Sequence, residues 1–250
     1  MNDTRTPLNR VVVGIDFGSA SVAAAGWTVQ CLVRDAELVL VHAVGGGERT
    51  GDGSSPPPPS TVTSRAERER AERRLRELRR GLTADFIWCE AREGSPSDTI
   101  LDVAAEFRAD LVVVGAPQTP PGSSDRHDST VVQLIHRSQL PVIVASGGLQ
   151  NQPERILVLT GDAAPGAMAA IQCARALGAP HGGAISEPDL WQSFDGFALP
   201  QASGASIDPD LIVLGHCGTL DHALPCPDSR VAELLRTARC PVVFTPERRR

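Results

Sequence analysis

The sequence predicts an α/β protein made of two Rossmann-like units with parallel sheets, five strands in the first and fewer in the second. Three observations carry this. DLVVVG at Asp110–Gly115 returns 100 residues later as DLIVLG at Asp210–Gly215. The register continues past that match: Asp128-Ser129 is answered by Asp228-Ser229, and PVIV from Pro141 by PVVF from Pro241. Short apolar runs alternate with helical patterns, which is how βαβ units around a parallel sheet are written. Repetition of a strand, loop, helix and strand at fixed spacing marks two copies of one supersecondary unit. We therefore divide the chain into domains at residues 1–150 and 151–250.

Each element has a local reason. VVVGID (Val11 to Asp16) is the first strand, and its continuous apolar run suits burial on both faces. The Ala-rich stretch Ser19 to Val33 is a helix. ELVLVHAV (Glu37 to Val44) is the second strand, and the Gly- and Pro-rich stretch after it, Gly45 to Ser60, is a loop. Arg65 to Gly81 is a helix whose Glu67, Glu69, Glu72 and Glu77 intersperse the arginines. Those spacings describe a solvated face with i,i+4 pairs over a buried stripe of Ala71, Leu75, Leu78 and Leu82, in preference to a basic binding helix. Ala84 to Gly94 is the third strand. Ser95 and Pro96 supply an N-cap and a first helical position for a helix burying Ile100, Val103, Ala104 and Phe107. The fourth strand, Asp110 to Gly115, is followed by a helix burying Val131, Leu134 and Ile135, and PVIVAS closes the half.

The second half is shorter. Arg155 to Asp162 repeats the first strand and Ala164 to Leu177 the first helix. The stretch from Gly178 to Asp210 is too short for a full second helix, third strand and third helix, so Ser186 to Ser206 reads as their remnant.

Composition excludes several functions. A net charge of -6 gives no general attraction to phosphate backbones, so no nucleic-acid partner is expected. MNDTRTPLNR has no apolar core and no run approaches membrane-spanning length, which predicts a cytoplasmic protein with no membrane partner. All 24 basic residues are arginine. Without lysine there is no Walker A loop, no kinase ATP lysine and no Schiff base. The six cysteines are scattered and mostly apolar in context, so reduced core thiols are expected. His216, Cys217, His222 and Cys226 lie close together but match no common zinc spacing, and no metal site is assigned. SGG at Ser146 to Gly148 follows strand five, the wrong context for a phosphate loop. His42, within strand two, reads as structural. No Ser-His-Asp or paired-carboxylate set emerges, so no catalytic residue is assigned and no enzyme is expected.

VVVGIDFGSASVAA with Asp16 at its strand end, VLVHAV, EGSPSDTI, ADLVVVG and QLPVIVA occur in an order and spacing that resemble the universal stress protein family in its tandem form, with a truncated second domain. The resemblance implies the adenine nucleotide alpha-hydrolase-like version of the fold and a regulatory or protective role under stress. ATP-binding relatives resemble G-x2-G-x9-G-[S/T] after strand four, where glycines let the backbone approach phosphates and a helix N-terminus offers N–H groups. Here Gly115 is followed by Gln118, Asp128 and Ser129; the second copy has Gly215, Gly218, Asp228 and Ser229. Both copies replace the last glycine with aspartate, whose carboxylate can cap the helix and oppose a phosphate. The resemblance thus implies a non-catalytic protein with a degenerate nucleotide motif and no cofactor. The alternative is an adenine-nucleotide sensor binding ATP through Asp16, Gly115, Ser129 and Thr130. The second half is expected to bind no nucleotide, having lost its strand-two wall. The two halves are expected to form an intrachain pseudo-dimer about a two-fold axis, Pro141–Ala145 against Pro241–Thr245, with higher oligomers open.

Overall fold

A computed structural model of the protein describes residues 8–32, 36–45, 61–116, 130–146, 149, 152–159, 165–178, 184–186, 209–215, 235 and 238–246. In chain order the elements are β1 (Arg10–Gly14), α1 (Ser19–Trp27) continued by a π-helical turn (Thr28–Leu32), β2 (Glu37–Val44), α2 (Thr61–Arg80), β3 (Ile87–Glu93), α3 (Pro96–Phe107), β4 (Leu111–Gly115), α4 (Thr130–Arg137) and β5 (Val142–Ala145). The remainder are β6 (Arg155–Leu159), α5 (Pro165–Gly178), β7 (Ala184–Ser186), β8 (Leu211–Gly215) and β9 (Val242–Thr245). The first helix is therefore α-helical only to Trp27. Thr28, buried, turns its hydroxyl back onto the Ala24 carbonyl at 2.8 Å, where the ladder widens.

The nine strands among the described residues lie in one sheet, in the order β3-β2-β1-β4-β5-β9-β8-β6-β7. Within the first five, and within the last four, every pairing is parallel. The two parallel sheets read from the sequence are joined by one antiparallel pair: Ile143 faces Val243, Val142 faces Phe244 and Val144 faces Val242. Because the repeat offset makes 142 equivalent to 242 and 144 to 244, these partners exchange under a half-turn. This is the register that the expected two-fold axis requires, with Ile143 opposite Val243. Both residues are fully buried, so each half covers the strand edge the other would expose. Ser146 adds a bond across the joint, its hydroxyl donating to the Cys240 carbonyl at 3.0 Å.

The repeated aspartate of the strand-four motif has the same duty twice. Asp110 Oδ2 accepts from the backbone of Asn9 and Arg10 at 2.9 and 3.0 Å, and Asp210 Oδ2 accepts from Arg155 N at 2.9 Å. Each carboxylate pins the start of the neighbouring strand, β1 or β6. Burial pushes the Asp210 carboxyl up, but the Arg155 side-chain and backbone bonds outweigh it and leave the group below its ordinary value. A depressed folded value contributes stability that is full above about pH 4 and is lost as pH falls through that value. Asp210→Asn should flatten the acid limb of a urea-stability profile below about pH 4, with a loss of about 1 kcal/mol near pH 7. An unchanged acid limb would show that the tie contributes nothing.

The core has two layers. Alternate strand residues, among them Val11, Val13, Leu38, Leu40, Val113 and Ile143, pack under α1, α2 and α5. The others, among them Val12, Val39, Val112 and Val144, pack under α3 and α4. On α2 the stripe divides: Ala71 and Leu75 are buried, while Leu78 and Leu82 are half-buried against the core. Its solvent face carries Arg65–Glu69, Arg68–Glu72 and Arg76–Glu72 ion pairs at i,i+4, as the spacing predicts. Cys31, Cys173 and Cys240 are buried, and burial pushes the Cys173 thiol up to about 12.

Two further expectations are corrected. The third strand begins at Ile87 rather than Ala84, because Phe86 and Asp85 lie exposed before the pairing with Leu38 starts. The strand-two wall of the second half is shortened rather than lost: Ala184–Ser186 pairs parallel with Arg155–Leu157. Three residues suffice for the ladder although the segment cannot hold the longer elements. The remnant stretch beyond Ser186, the loop before Thr61, and His216, Cys217, His222, Cys226, Gly218, Asp228 and Ser229 lie outside the described residues. Among the described residues no helix is long and apolar enough to cross a membrane, and no group of three His, Cys, Asp or Glu is placed to hold a metal.

Candidate functional site

The carboxyl ends of β1, β2, β3 and β4 face one end of the sheet, where ligands of open parallel sheets are found. β1 delivers the segment Ile15 to Gly18 to this end, and Ile15 N bonds the Val41 carbonyl of β2 at 2.8 Å. Asp16, next in line, is exposed, yet its carboxylate is engaged. Oδ1 accepts from Gly18 N at 2.7 Å and from the Ser21 hydroxyl at 2.5 Å. The N-cap residue of α1 is Gly18, which has no side chain to offer, and Asp16 closes an Asx turn onto its N–H from two residues upstream. Glycine suits that position because an added Cβ would lie 3.0 Å from Asp16 Oδ1.

Gly115, at the end of β4, meets the same turn from the other side. A Cβ built there would stand 2.6 Å from Ser21 N, 2.7 Å from Ala20 C and 2.9 Å from Ser21 Cα. These are backbone atoms, and they cannot swing aside. Gly115 therefore lets β4 touch the first turn of α1, whatever else approaches the loop. Asp16 and Gly115 both meet the first turn of α1, with Ser21 between them as the residue that reading the sequence missed. Its signal was present in the run Gly18-Ser19-Ala20-Ser21 at a helix start, five residues after Asp16.

Phe17 occupies the left-handed region at φ 65, a conformation that costs a non-glycine residue roughly 1–2 kcal/mol. Its ring holds it there: the centroid lies 4.6 Å from that of His42, and the Arg74 guanidinium of α2 sits 3.9 Å over it. His42 Nδ1–H donates to the Ile15 carbonyl at 2.6 Å, which fixes the imidazole as a prop for this loop. The structural reading of His42 agrees with this geometry, and one arginine of α2 has found an aromatic partner instead of a carboxylate.

α4 carries the remaining motif residue that is described, half-buried Thr130, at its first position; Gln118, Asp128 and Ser129 lie outside the described residues. A polar network locks α4 to α3. Buried Ser97 donates to Gln133 Oε1 at 2.5 Å, and Arg137 reaches Asp98 Oδ1 at 2.5 Å and Ser97 Oγ at 3.5 Å. The Ser95 hydroxyl, then Arg137, hold the Asp98 carboxyl below its usual range. Ser95 caps α3 as its sequence implies, accepting from Asp98 N. The cap was legible; the tie to α4 was not, because its partners lie about 40 residues apart.

The model of the universal stress protein family matches residues 7–146. Among solved structures, a universal stress protein from Archaeoglobus fulgidus DSM 4304 is similar at 16% identity and a TM-score of 0.66, over 96% of this chain and 97% of its own. A functionally unknown protein from Pseudomonas aeruginosa PAO1 aligns with a TM-score of 0.55 at 12% identity, covering 96% of this chain and 93% of that one. A putative universal stress protein from Pseudomonas aeruginosa UCBPP-PA14 does so with 0.52 at 13%, over 96% and 93%. At such identities the likeness is one of fold. No curated protein matches the chain.

Proposed function

Because the chain belongs to the universal stress protein family, we propose that it is a non-catalytic, cytoplasmic stress module of tandem form, with domains at 1–150 and 151–250, the second truncated, whose nucleotide site has passed to structural use. The observation that supports this most is the double engagement of the site by α1: Asp16 Oδ1 holds its N-cap amide and the Ser21 hydroxyl, and the missing Cβ of Gly115 makes room for its backbone. A residue committed to holding the fold contributes less to a ligand that comes and goes. The tandem reading is supported by the shared duty of Asp110 and Asp210, by the exchange symmetry at β5 and β9, and by a single solved chain aligned nearly end to end.

A protein that regulates without chemistry acts through what it touches. The second reading, an ATP sensor built on Asp16, Gly115, Ser129 and Thr130, is favoured by the exposure of Asp16 and by Thr130 opening α4 at the correct end of the sheet. Native mass spectrometry of the freshly purified protein and calorimetry with ATP separate the two. The proposed module is expected to carry no nucleotide and to bind ATP weakly or not at all. Asp128→Gly should then improve affinity by about tenfold, since removing a like charge and a competing cap is worth about 1.4 kcal/mol. ATP retained through purification of the unaltered protein would establish the sensor reading instead.

A further inference from the structure

β3 is the outermost strand of the first half, and its α3-side face extends beyond the helix that covers β1 and β2. That uncovered shelf holds the largest exposed aromatic group among the described residues. Phe86 is 58% exposed and Trp88 44%, their rings stacked at 6.4 Å and 19°, and Trp88 meets Phe107 of α3 at 5.7 Å. The Arg10 guanidinium closes the row over Phe107 at 5.6 Å while paired with Glu37 at 3.0 Å. Aromatic rings left in contact with each other and with water, rimmed by charges, are the ordinary composition of a recognition surface.

The open backbone of β3 is not what this surface offers. The β2 ladder takes the backbone groups of Phe86, Trp88, Glu90 and Arg92, leaving those of Ile87, Cys89, Ala91 and Glu93 to point outward, and Ile87 and Ala91 are only 2% exposed. Addition of another strand is therefore closed off, and the partner must lie on the side chains. Around the rings, Arg92 is shared by Glu106, through two bonds of 2.8 Å, and Glu90 at 3.5 Å. Exposed Asp85 precedes Phe86 in the chain and exposed Asp102 stands one helical turn before Glu106 on α3, so with Glu37 five carboxylates stand against Arg10, Arg92 and exposed Arg108. The rim is acidic.

We infer that the shelf formed by Phe86, Trp88 and Phe107 docks an amphipathic helix of a partner protein, whose apolar face covers the rings and whose flanks are basic. Such a helix would lie beside α3 and complete the layer over β3, in the helix-in-groove manner. The shelf sits at the amino ends of the strands, away from Asp16, so it stands apart from any reading of the nucleotide site.

The test uses the full chain and a fluorescein-labelled model peptide of leucine and lysine, roughly two heptads long, in an amphipathic helical pattern, with a leucine and glutamate peptide as its counterpart. Anisotropy should show binding of the lysine peptide, at least about tenfold weaker binding of the glutamate peptide, and at least about tenfold loss of the lysine peptide with Phe86→Ser/Trp88→Ser. Both replaced side chains are exposed, so the variant should keep its circular dichroism. Backbone amide shifts on the unaltered protein provide a second readout: the peptide should move Phe86, Trp88 and Phe107 and leave Asp16 and Gly18 in place. Equal binding by the variant, equal binding of both peptides, no binding, or shifts elsewhere would overturn the proposal. So would concentration-dependent dimerisation abolished by the double substitution, which would assign the shelf to a second copy of this chain.

Discussion

Gly115→Ala is expected to be among the most damaging single-methyl changes in this protein. The added carbon would lie 2.6 Å from Ser21 N, with Ala20 C and Ser21 Cα inside 3 Å, and all three belong to the first turn of α1. Relief requires β4 and α1 to separate, which loosens Val113 and Ala24 in the buried layer between them. Overpacking of this kind costs on the order of 3 kcal/mol or more, at the upper end of what an inserted methyl does, because no side chain can yield. Urea denaturation measures it. Gly26→Ala, in the same helix with open space around its Cβ, is the matched control and should stabilise by about 0.5–1 kcal/mol. If the two variants behave alike, the close approach is not what glycine serves at 115, and the phosphate-facing reading of that residue regains its standing.

Val243→Asp is expected to unfold both halves together. Val243 is fully buried opposite Ile143 at the centre of the only antiparallel pair among the described strands. A carboxylate there loses its water and gains no partner, a change worth more than about 4 kcal/mol, of the order of many domains' whole stability margin. Hydrogen exchange decides whether the halves are coupled. Protection should fall in β1 and β4 as well as in β6 and β8, because one continuous sheet shares both core layers across the joint. Loss confined to residues 155–245, with β1 and β4 still protected at their original level, would show that each half holds itself up.

The sequence by itself determined the strands and most of the helices. Val11 to Val13, Leu38 to Val41 and Leu111 to Val114 are apolar on both faces, and only a sheet covered on both sides accommodates them. Ser95 and Pro96 placed the start of α3, because capping depends on neighbours in the chain. The offset of 100 residues placed Ile143 opposite Val243, since a two-fold axis maps equivalent strands onto each other. What only the tertiary structure decided is how the motif residues are employed. A glycine's missing Cβ and an aspartate's free oxygen look the same in sequence whether they face a phosphate or the turn of a helix; here α1 arrives at both. Phe17 could be placed after β1, but its left-handed backbone, the His42 prop and the Arg74 cover depend on groups 25 and more residues away meeting in space. The aromatic shelf was hidden for the same reason: Phe107 read as a core residue and Phe86 and Trp88 as residues of the third strand, until β3, lying beyond the strands that α3 covers, leaves Phe86 and Trp88 in water.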